Sequence, residues 1–504
     1  MSLRLLDGAT VATSHEASFD VVVVGSGPAG AAVARAAARG GARVAVVEEG
    51  PYVEPSEFPE DGFSAMARLY RDLGTSVLTG NAPMPFLQGR VVGGTSVING
   101  AISWRLPRDV YDEWTAADPA LGDAIPWDEV EAALDAVEAD LGIHPTEPEV
   151  AGLNNSLLAR GAEALGLEHR PISRNVRGCR GLGRCLQGCP EGHKTSMDLT
   201  YLPDACAHGA EVLCSTRAIR VRCDGSRAVG VDAVTEAGAR VRLEARRAVV
   251  LAASAVQTPA LLQASGILHG RPGEGFQCHP GVSMVGRFPD LVRMWTGATQ
   301  GHEVIGLRRE GIKLEALGYD MALVAMRAKG VGAQLAHDIA DLGHFCNWGA
   351  AIRARGRGRV SARRGGRVAV SFSLTREDVL RLRRGLAVMG EMMLAAGADH
   401  VTPGIPGWPE RITDRAEMAR FADEGPLDPK AYTMAVTHMF GTCRMGSDPA
   451  RSVVRPDFRH HRVEGLYVAD SSVFPTNTGV NPQTSIIALA SICARRVLES
   501  SDRG

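Results

Sequence analysis

Residues 20–50 constrain the fold more than any other part of the sequence. Residues 21–24 form an apolar, β-branched run, and a run of this kind that stops at a turn is typical of a buried parallel strand. The turn reads GSGPAG, which has the spacing G-x-G-x-x-G, and the alanine-rich residues 31–38 predict a helix directly after it. A second β-rich run, residues 42–47, ends at Glu48. Strand, glycine loop, helix, strand and acid in this order predict a dinucleotide-binding βαβ unit.

Each residue of this pattern has a physical task. Gly25 permits the tight turn, Gly27 lets the backbone approach a pyrophosphate, and Gly30 lets helix and strand pack closely. The free N–H groups at the start of the helix would then meet the phosphates. Glu48 lies where a carboxylate accepts both ribose hydroxyls of an adenosine, and an acid there disfavours a 2′-phosphate. A glycine loop alone also occurs as a plain tight turn, and at this point NAD and FAD both fit.

Composition limits the classes of function. With 504 residues and 45% hydrophobic content, the chain can bury a large core and form two domains or one domain with an elaborated second lobe. The net charge is −2, so no basic field favours nucleic acid or an anionic membrane, and a small-molecule partner is expected. Lysine occurs only at positions 194, 313, 329 and 430, which we interpret as codon bias.

The amino-terminal residues lack the apolar core of a signal peptide, and no uncharged apolar run is long enough to cross a bilayer. We therefore expect a cytoplasmic protein. In that compartment, the ten cysteines are expected to be reduced thiols, metal ligands or buried packing groups rather than disulfides.

Residues 89–100 read GRVVGGTSVING, and two adjacent glycines in an apolar context indicate a backbone that something approaches closely, although a surface turn is the simpler alternative. The longer stretch GRVVGGTSVINGAISWRLPRDVYDEW resembles the first signature of the glucose–methanol–choline (GMC) oxidoreductases. The resemblance implies FAD and an α/β fold, with a Rossmann-like FAD-binding domain of the glutathione-reductase-like type and a second α+β substrate domain that contains an antiparallel sheet. It also implies flavin contacts at Gly93, Gly94, Thr95, Asn99 and Gly100.

Some members of that family attach FAD covalently through a histidine in this loop. The corresponding position here is Ile98, so non-covalent FAD is expected.

Three cysteines follow in a glycine-rich loop, at positions 179, 185 and 189, with His193 beyond them. Such residues can ligate an iron–sulfur cluster or, with the histidine, zinc. The spacing matches neither a standard ferredoxin run nor a common zinc-finger repeat, so we predict a structural thiol-rich loop and no metal site.

The middle of the chain is less informative. RRAVVLAASAVQTPALLQASGIL, at residues 246–268, matches the second GMC signature, and FQCHP resembles a family motif ending in Asp-His-Pro, with Cys278 in place of the aspartate. His279 is therefore expected to be structural. Residues 281–426 resemble no motif, but their patterns predict a strand at 367–372 and a long helix at 377–397. Aromatic or soft side chains that can line a substrate pocket, although more often core, are Met321, Met326, Phe345, Trp348 and Trp408.

The carboxyl-terminal motifs THMFGTCRMG, LYVADSSVFPT and GVNPQTSIIALA resemble the GMC carboxyl terminus. Oxidation of an alcohol requires that the hydroxyl proton leave and that a hydride reach flavin N5. Histidine suits the first step because its pKa lies near neutrality, so His438 is the predicted base. By resemblance, Asn481 donates a hydrogen bond to the alkoxide-like oxygen.

The same resemblance implies further cofactor contacts. Asp470 is expected to bind the ribityl or pyrophosphate part of FAD, and Pro482, Gln483 and Thr484 are expected to approach the isoalloxazine ring. A helix predicted at 485–499 would place its positive end near the flavin pyrimidine. His460 and His461 lie in a charged loop and are expected to be solvated.

We expect five segments: 1–108 and 201–267 in the FAD-binding domain, 109–200 as a helical and cysteine-loop insertion on the substrate side, 268–433 as the substrate domain, and 434–504 as an FAD-binding and catalytic part. The predicted function is FAD-dependent oxidation of a primary or secondary hydroxyl, with oxygen, a quinone or a protein as electron acceptor. Two alternatives stay open, an FAD-containing lyase of the hydroxynitrile-lyase type and a non-enzymatic flavin-fold protein of the prenylation-escort type.

Overall fold

The computed structural model describes residues 3–325 and 331–499; Met326 and Lys329 lie outside these ranges. The strands are, in chain order, β1 Leu5–Asp7, β2 His15–Val24, β3 Val44–Val47, β4 Val77–Leu78, β5 Met84–Pro85, β6 Ile143–Pro145, β7 His169–Pro171, β8 Ser173–Asn175, β9 Glu211–Cys214, β10 Thr216–Asp224, β11 Arg227–Thr235, β12 Arg240–Leu251, β13 Glu274–Arg287, β14 His302–Val304, β15 Ile312–Ala316, β16 Phe345–Ile352, β17 Arg357–Ala362, β18 Val368–Ser373, β19 His400–Thr402, β20 Met434–Phe440 and β21 Leu466–Val468.

The α-helices are α1 Pro28–Arg39, α2 Gly62–Leu69, α3 Arg108–Ala117, α4 Pro119–Ala124, α5 Trp127–Leu141, α6 Pro148–Ala151, α7 Leu153–Ala164, α8 Tyr201–Ala207, α9 Ser254–Ala264, α10 Met321–Ala325, α11 Gly332–Ala340, α12 Arg376–Ala395, α13 Arg415–Glu424 and α14 Gln483–Glu499.

The first sheet has eight strands in the order β1-β9-β3-β2-β12-β11-β10, with β21 also paired to β12. Strands β1, β9, β3, β2, β12 and β21 run parallel. The carboxyl half of β2 and all of β3 are buried, because helices cover this part of the sheet and leave no face for polar side chains. α1 packs against α8 and α14. The predicted Rossmann-like unit is therefore confirmed.

The second sheet has nine strands in the order β18-β17-β13-β16-β15-β14-β7, and β19 and β20 also pair with β13. These pairings are antiparallel, as expected for the second domain. Side chains alternate between the two faces, so that Met284 and Trp348 enter a core with α12, whereas Ser283 and Asn347 face a large cavity. Trp348, one of the side chains that can line the pocket but are more often core, belongs to the core, because its strand position turns it away from the cavity.

The expected domain boundaries stay a proposal. β20 joins the second sheet, whereas β21 and α14, which follow it, return to the first. Within the predicted insertion, α5 packs against α14 and α7 packs against α12, so this segment touches both halves of the molecule.

His460 is buried, and the expectation of a solvated side chain was wrong. Its Nδ1 accepts hydrogen bonds from the backbone N–H groups of Arg462 and Val463, which makes it the acceptor of a tight turn. All ten cysteines are free thiols. Across residues 3–325 and 331–499, no helix is both long and apolar enough to span a bilayer.

Candidate active site

A cavity of about 1930 Å³ lies between the two sheets. This volume exceeds the roughly 300–1,000 Å³ of a site for one small ligand, so it can hold a dinucleotide and a substrate together. Three predicted site residues, Gly30, Gly93 and Thr484, are outside its lining. The predicted residues that line it are Gly25, Gly27, Glu48, Gly94, Thr95, Asn99, Gly100, His438, Asp470, Asn481, Pro482 and Gln483.

The glycine loop forms one end of the cavity. α1 begins directly after Gly27, without a side-chain cap and without an acid in its first turn, so its N–H groups stay available to an anion. A Cβ on Gly27 would meet no protein atom closer than 3.9 Å, so the space beside this glycine belongs to the cavity. A Cβ on Gly30 would lie 1.8 Å from the carbonyl oxygen of Gly25, so this glycine is needed for packing in the wall.

Glu48 links the glycine loop to the second glycine-rich loop, residues 93–100. Its Oε2 accepts hydrogen bonds from Ser26 N at 3.0 Å and Ser26 Oγ at 2.6 Å, and its Oε1 accepts from Gly50 N at 2.7 Å. Ser26 Oγ in turn accepts from the backbone N–H of Gly93 at 3.0 Å. Burial raises the pKa of Glu48, although these donated hydrogen bonds oppose the shift. The backbone N–H of Gly93 therefore links the two loops from behind the cavity surface.

The start of α14 faces the same loop. Asn99 Nδ2 donates to Gln483 Oε1 at 2.5 Å, and Gln483 Nε2 donates to Asn175 Oδ1 at 3.1 Å. The hydroxyls of Thr484 and Ser485 are buried and have no hydrogen-bond partner within the described part of the chain. Neither hydroxyl lines the cavity, whereas the start of α1 does, and its free N–H groups fit the phosphates of an anionic cofactor such as FAD.

Asp470 is buried beside the cavity, but its oxygens have protein partners. Oδ2 accepts from Ser254 N at 3.0 Å and from Thr258 Oγ1 at 2.5 Å, and Oδ1 accepts from Ser472 N at 2.9 Å. Burial raises the pKa of Asp470. Ser254 has φ of 95°, which is rare for a residue with a side chain, so this carboxylate holds a strained turn against the cavity.

Lys194 attaches the cysteine loop to residues 93–100. Its buried Nζ donates to the carbonyl oxygens of Val97 at 2.5 Å, Asn99 at 2.9 Å and Cys185 at 2.8 Å, which satisfies all three of its donors. Burial lowers the pKa of this ammonium.

Among the residues that the structure describes, no group of three or more His, Cys, Asp or Glu side chains could hold a metal ion.

His438 and Asn481 lie together at the other end of the cavity, where β20 approaches the start of α14. Asn481 Nδ2 is 3.5 Å from His438 Nε2. Asn481 Oδ1 accepts a hydrogen bond from Lys313 Nζ at 2.6 Å. A substrate oxygen in the cavity beside these two atoms could therefore contact the amide nitrogen of Asn481 and the ring nitrogen of His438 at once.

His279 lies behind His438, with 3.2 Å between the two Nδ1 atoms. The backbone N–H of Gly479 donates to His279 Nε2 at 2.9 Å. Because that nitrogen accepts, the proton of neutral His279 is on Nδ1 and is donated to His438 Nδ1. The proton of neutral His438 then lies on Nε2, on the cavity side.

Electrostatics keep both rings neutral. Burial and the positive charge of Lys313 lower the pKa of His438 to about 3. Burial and the neighbouring His438 hold the pKa of His279 well below its usual value. The pair therefore stays uncharged throughout the physiological pH range.

The sequence interpretation missed several residues at this end, above all Lys313, Glu315, Gln300 and the hydrogen-bonding role of His279. The available signal was the scarcity of lysine, because Lys194 and Lys313 are both buried and arginine supplies nearly all other positive charge. Codon bias does not explain why an ammonium is buried.

A Rossmann-like sheet with a glycine-loop cleft that continues into a histidine-bearing pocket on an antiparallel sheet is typical of two-domain oxidoreductases that bind a dinucleotide. Family models described as GMC oxidoreductase match residues 22–281 and 354–490. The chain belongs to the GMC oxidoreductase family, and it is an FAD-dependent enzyme that acts on CH–OH donors.

Relatives agree with the family assignment, and solved structures share the fold. The chain is 36% identical over 479 residues to a GMC-type oxidoreductase of Mycobacterium tuberculosis H37Rv, covering 94% of this chain and 74% of that one. It is 28% identical over 521 residues to the long-chain-alcohol oxidase FAO1 of Arabidopsis thaliana, covering 96% and 67%. The fold resembles pyridoxine 4-oxidase from Mesorbium loti, with TM-score 0.69, 21% identity and 94% and 98% coverage. It also resembles Aspergillus oryzae formate oxidase, with TM-score 0.74, 18% identity and 97% and 99% coverage.

Proposed function

We propose that this protein oxidises a primary or secondary alcohol that carries an extended apolar chain. The observation that carries the proposal is the position of the His438–Asn481 pair, which lies in the same cavity as the glycine loop. The part of that cavity along the second sheet, here called the channel, has many apolar side chains in its wall, together with the polar residues Asp338, His400, Glu410 and Arg411.

The channel follows the cavity face of the second sheet. Within β13, Val285 comes six residues after His279, and six residues of strand span roughly 20 Å. The cavity-facing residues between them, Gly281 and Ser283, are small and leave room for a ligand. The apolar side chains that line the cavity here and beyond are Val285, Met294, Leu317, Leu342, Phe345, Ile405 and Trp408. The relatives named long-chain-alcohol oxidases support a substrate of this shape.

FAD, when bound, supplies the hydride acceptor. Asn481 donates a hydrogen bond from Nδ2 to the substrate oxygen, and His438 accepts the hydroxyl proton at Nε2. To accept that proton at Nε2, His438 must carry its own proton on Nδ1, which faces the donating Nδ1 of His279. His279 must then accept at Nδ1 and release the hydrogen bond from Gly479. We propose that, as the substrate enters, the Nδ1 proton of His279 passes to Nδ1 of His438, the Nε2 proton of His438 leaves to solvent, and His279 takes up a proton from solvent at Nε2, so that both rings stay neutral.

We also propose that FAD is held non-covalently. The position at which some relatives carry a linking histidine is the buried Ile98, and residues 93–100 contain no histidine.

The test is anaerobic mixing of the purified yellow protein with alcohols of increasing chain length. Longer primary alcohols should bleach the flavin at lower concentrations than short ones. His438→Ala should keep FAD and slow bleaching by about 10²–10⁴-fold. His208→Ala, at an exposed position directly after α8, should behave as the parent.

An unchanged bleaching rate in His438→Ala would remove this residue as the acid–base group. No bleaching by any alcohol, together with cleavage of a cyanohydrin, would favour the lyase alternative. Comparing oxygen uptake with reduction of a soluble quinone then identifies the electron acceptor.

A further inference from the structure

A buried group of charged side chains lies beneath Asn481. Lys313 Nζ is 2.9 Å from Glu303 Oε2 and 2.8 Å from Glu315 Oε2, and it donates to Asn481 Oδ1 at 2.6 Å. Glu303 is fully buried and Lys313 is 3% exposed. Trp104 Nε1 and Arg170 Nε donate to Glu303 at 2.8 and 2.9 Å. The two carboxylates are thus balanced by two cations, as burial of charge requires.

The ammonium decides which way the Asn481 amide points. An ammonium only donates, so the Asn481 atom that it contacts must be the oxygen. The NH₂ group is consequently turned toward His438 Nε2 and the cavity. In the opposite orientation, the amide would present its carbonyl oxygen, which repels the alkoxide-like oxygen that develops when the hydroxyl proton leaves.

We infer that Lys313 is a positioning residue for alcohol oxidation, which aims the NH₂ group of Asn481 at the substrate oxygen while Glu303 and Glu315 hold the ammonium in place. This inference rests on the proposed function. It assigns a task to a buried ion cluster that packing alone does not require, since apolar residues of similar volume are often at least as stabilising.

The cluster of charged side chains also reaches the second glycine-rich loop, residues 93–100. Gln300 Nε2 donates to Glu315 Oε1 at 3.0 Å, and a Cβ on Gly100 would lie 1.9 Å from Gln300 Oε1. Gly100 is therefore the residue that lets Gln300 approach. One chain of contacts connects the loop at Gly100 with Lys313 and Asn481.

The charge of the ammonium supports the same role. Burial alone would lower the pKa of Lys313, but Glu303 and Glu315 outweigh it and raise the pKa, so Lys313 stays charged. The charged groups facing the histidine pair are Lys313 from β15 and Arg353, which follows β16, and each opposes protonation of His279.

A double-mutant cycle tests whether Lys313 acts through Asn481. The variants are Lys313→Met, Asn481→Ala and the pair together, with Lys430→Met at an exposed lysine as the matched control. The measurement is the limiting rate of anaerobic flavin reduction, with FAD content and thermal midpoint recorded for each protein. Lys313→Met should slow reduction roughly 10- to 100-fold with a smaller change in the half-saturating alcohol concentration.

In the Asn481→Ala background, the same Lys313 substitution should change the rate by less than about 3-fold, because the amide that it aims is absent. An equal loss in both backgrounds would overturn the inference. If Lys313→Met does not fold, the cycle is run in a Glu315→Gln background, which removes one carboxylate with the ammonium and keeps the cluster charge balanced.

A second measurement needs no turnover. Nitrogen-15 NMR of the histidine rings, with His438 assigned by its loss in His438→Ala, should show a higher pKa for His438 in Lys313→Met than in the parent. An unchanged His438 titration would overturn the inference even where no alcohol reduces the flavin. If alcohols do not reduce the parent protein, but the pKa of His438 is higher in Lys313→Met than in the parent, the result counts against the proposed function alone.

Discussion

A histidine that is buried beside an ammonium keeps its neutral form far below the usual pH. Because burial and Lys313 lower the pKa of His438 to about 3, we expect kcat/KM for the alcohol to stay level as the pH falls from 8 to about 5. Stopped-flow flavin reduction over this range provides the measurement. A decline centred near pH 6.5 would show that His438 titrates like an exposed histidine and would contradict the described environment.

Single residues differed sharply in how well the sequence predicted them. His438 and Asn481 lie in recognisable motifs, and the structure brings them to 3.5 Å from each other. Lys313 and Glu315 lie in a stretch without a motif, and their importance comes from strand pairing in the second sheet. From the sequence alone, a lone lysine in an alternating segment is interpreted as an exposed residue of an edge strand. Only the fold shows that Lys313 points inward.

At the scale of elements, the glycine loop before α1 provides a discriminating substitution. Gly27→Ala should leave the thermal midpoint of the apoprotein unchanged, because the new Cβ would meet no protein atom closer than 3.9 Å. The same methyl group would occupy the space expected for the pyrophosphate, so FAD affinity should fall at least about 10-fold.

Fluorescence titration of the apoprotein with FAD measures this affinity, and calorimetry of the same sample measures the midpoint. Normal FAD affinity in Gly27→Ala would place the phosphates elsewhere.

Local periodicity predicted the elements with their own signals, whereas pairing between distant strands stayed hidden. The helix predicted at 377–397 is α12, Arg376–Ala395, and the strand predicted at 367–372 is β18, Val368–Ser373. β13 has 14 residues and pairs with β16, β17, β19 and β20, which no local pattern shows. Its role as the floor of the channel depends on these non-local contacts.

For the whole molecule, acid should act on stability through buried histidines. Burial, assisted by neighbouring charges, lowers the pKa of four of them: His302 to about 4, His438 to about 3, His460 to about 4, and His279 well below its usual value. Between about pH 4 and 6.5 the unfolded chain binds more protons than the folded one, so the free energy of unfolding falls as the pH falls. Burial raises the pKa of three carboxyl groups, Asp198 to about 6 and Glu48 and Asp470 above their usual value, and these act in the opposite sense, but they are three groups against four.

Urea unfolding of the apoprotein at pH 7.5 and 5 should therefore show a lower midpoint at pH 5, and His302→Asn should reduce the difference. Stability that is equal at both pH values would contradict the neutral state of these rings.

Acid precipitation of the holoprotein should also release FAD to the supernatant. A pellet that stays yellow would show that the flavin is covalently attached despite Ile98.

The pairing of β12 with both β2 and β21 has a consequence for how the enzyme matures in the cell. The cofactor cleft needs Gly25 from one end of the sequence and Gln483 from the other, 458 positions later. At a synthesis rate of about 5–20 residues per second, the glycine loop leaves the ribosome roughly 20–90 s before its partners exist. The complete cleft can therefore bind flavin only after residue 483 has been synthesised, and until β21 exists the carboxyl-terminal end of β12 lacks that strand as a partner.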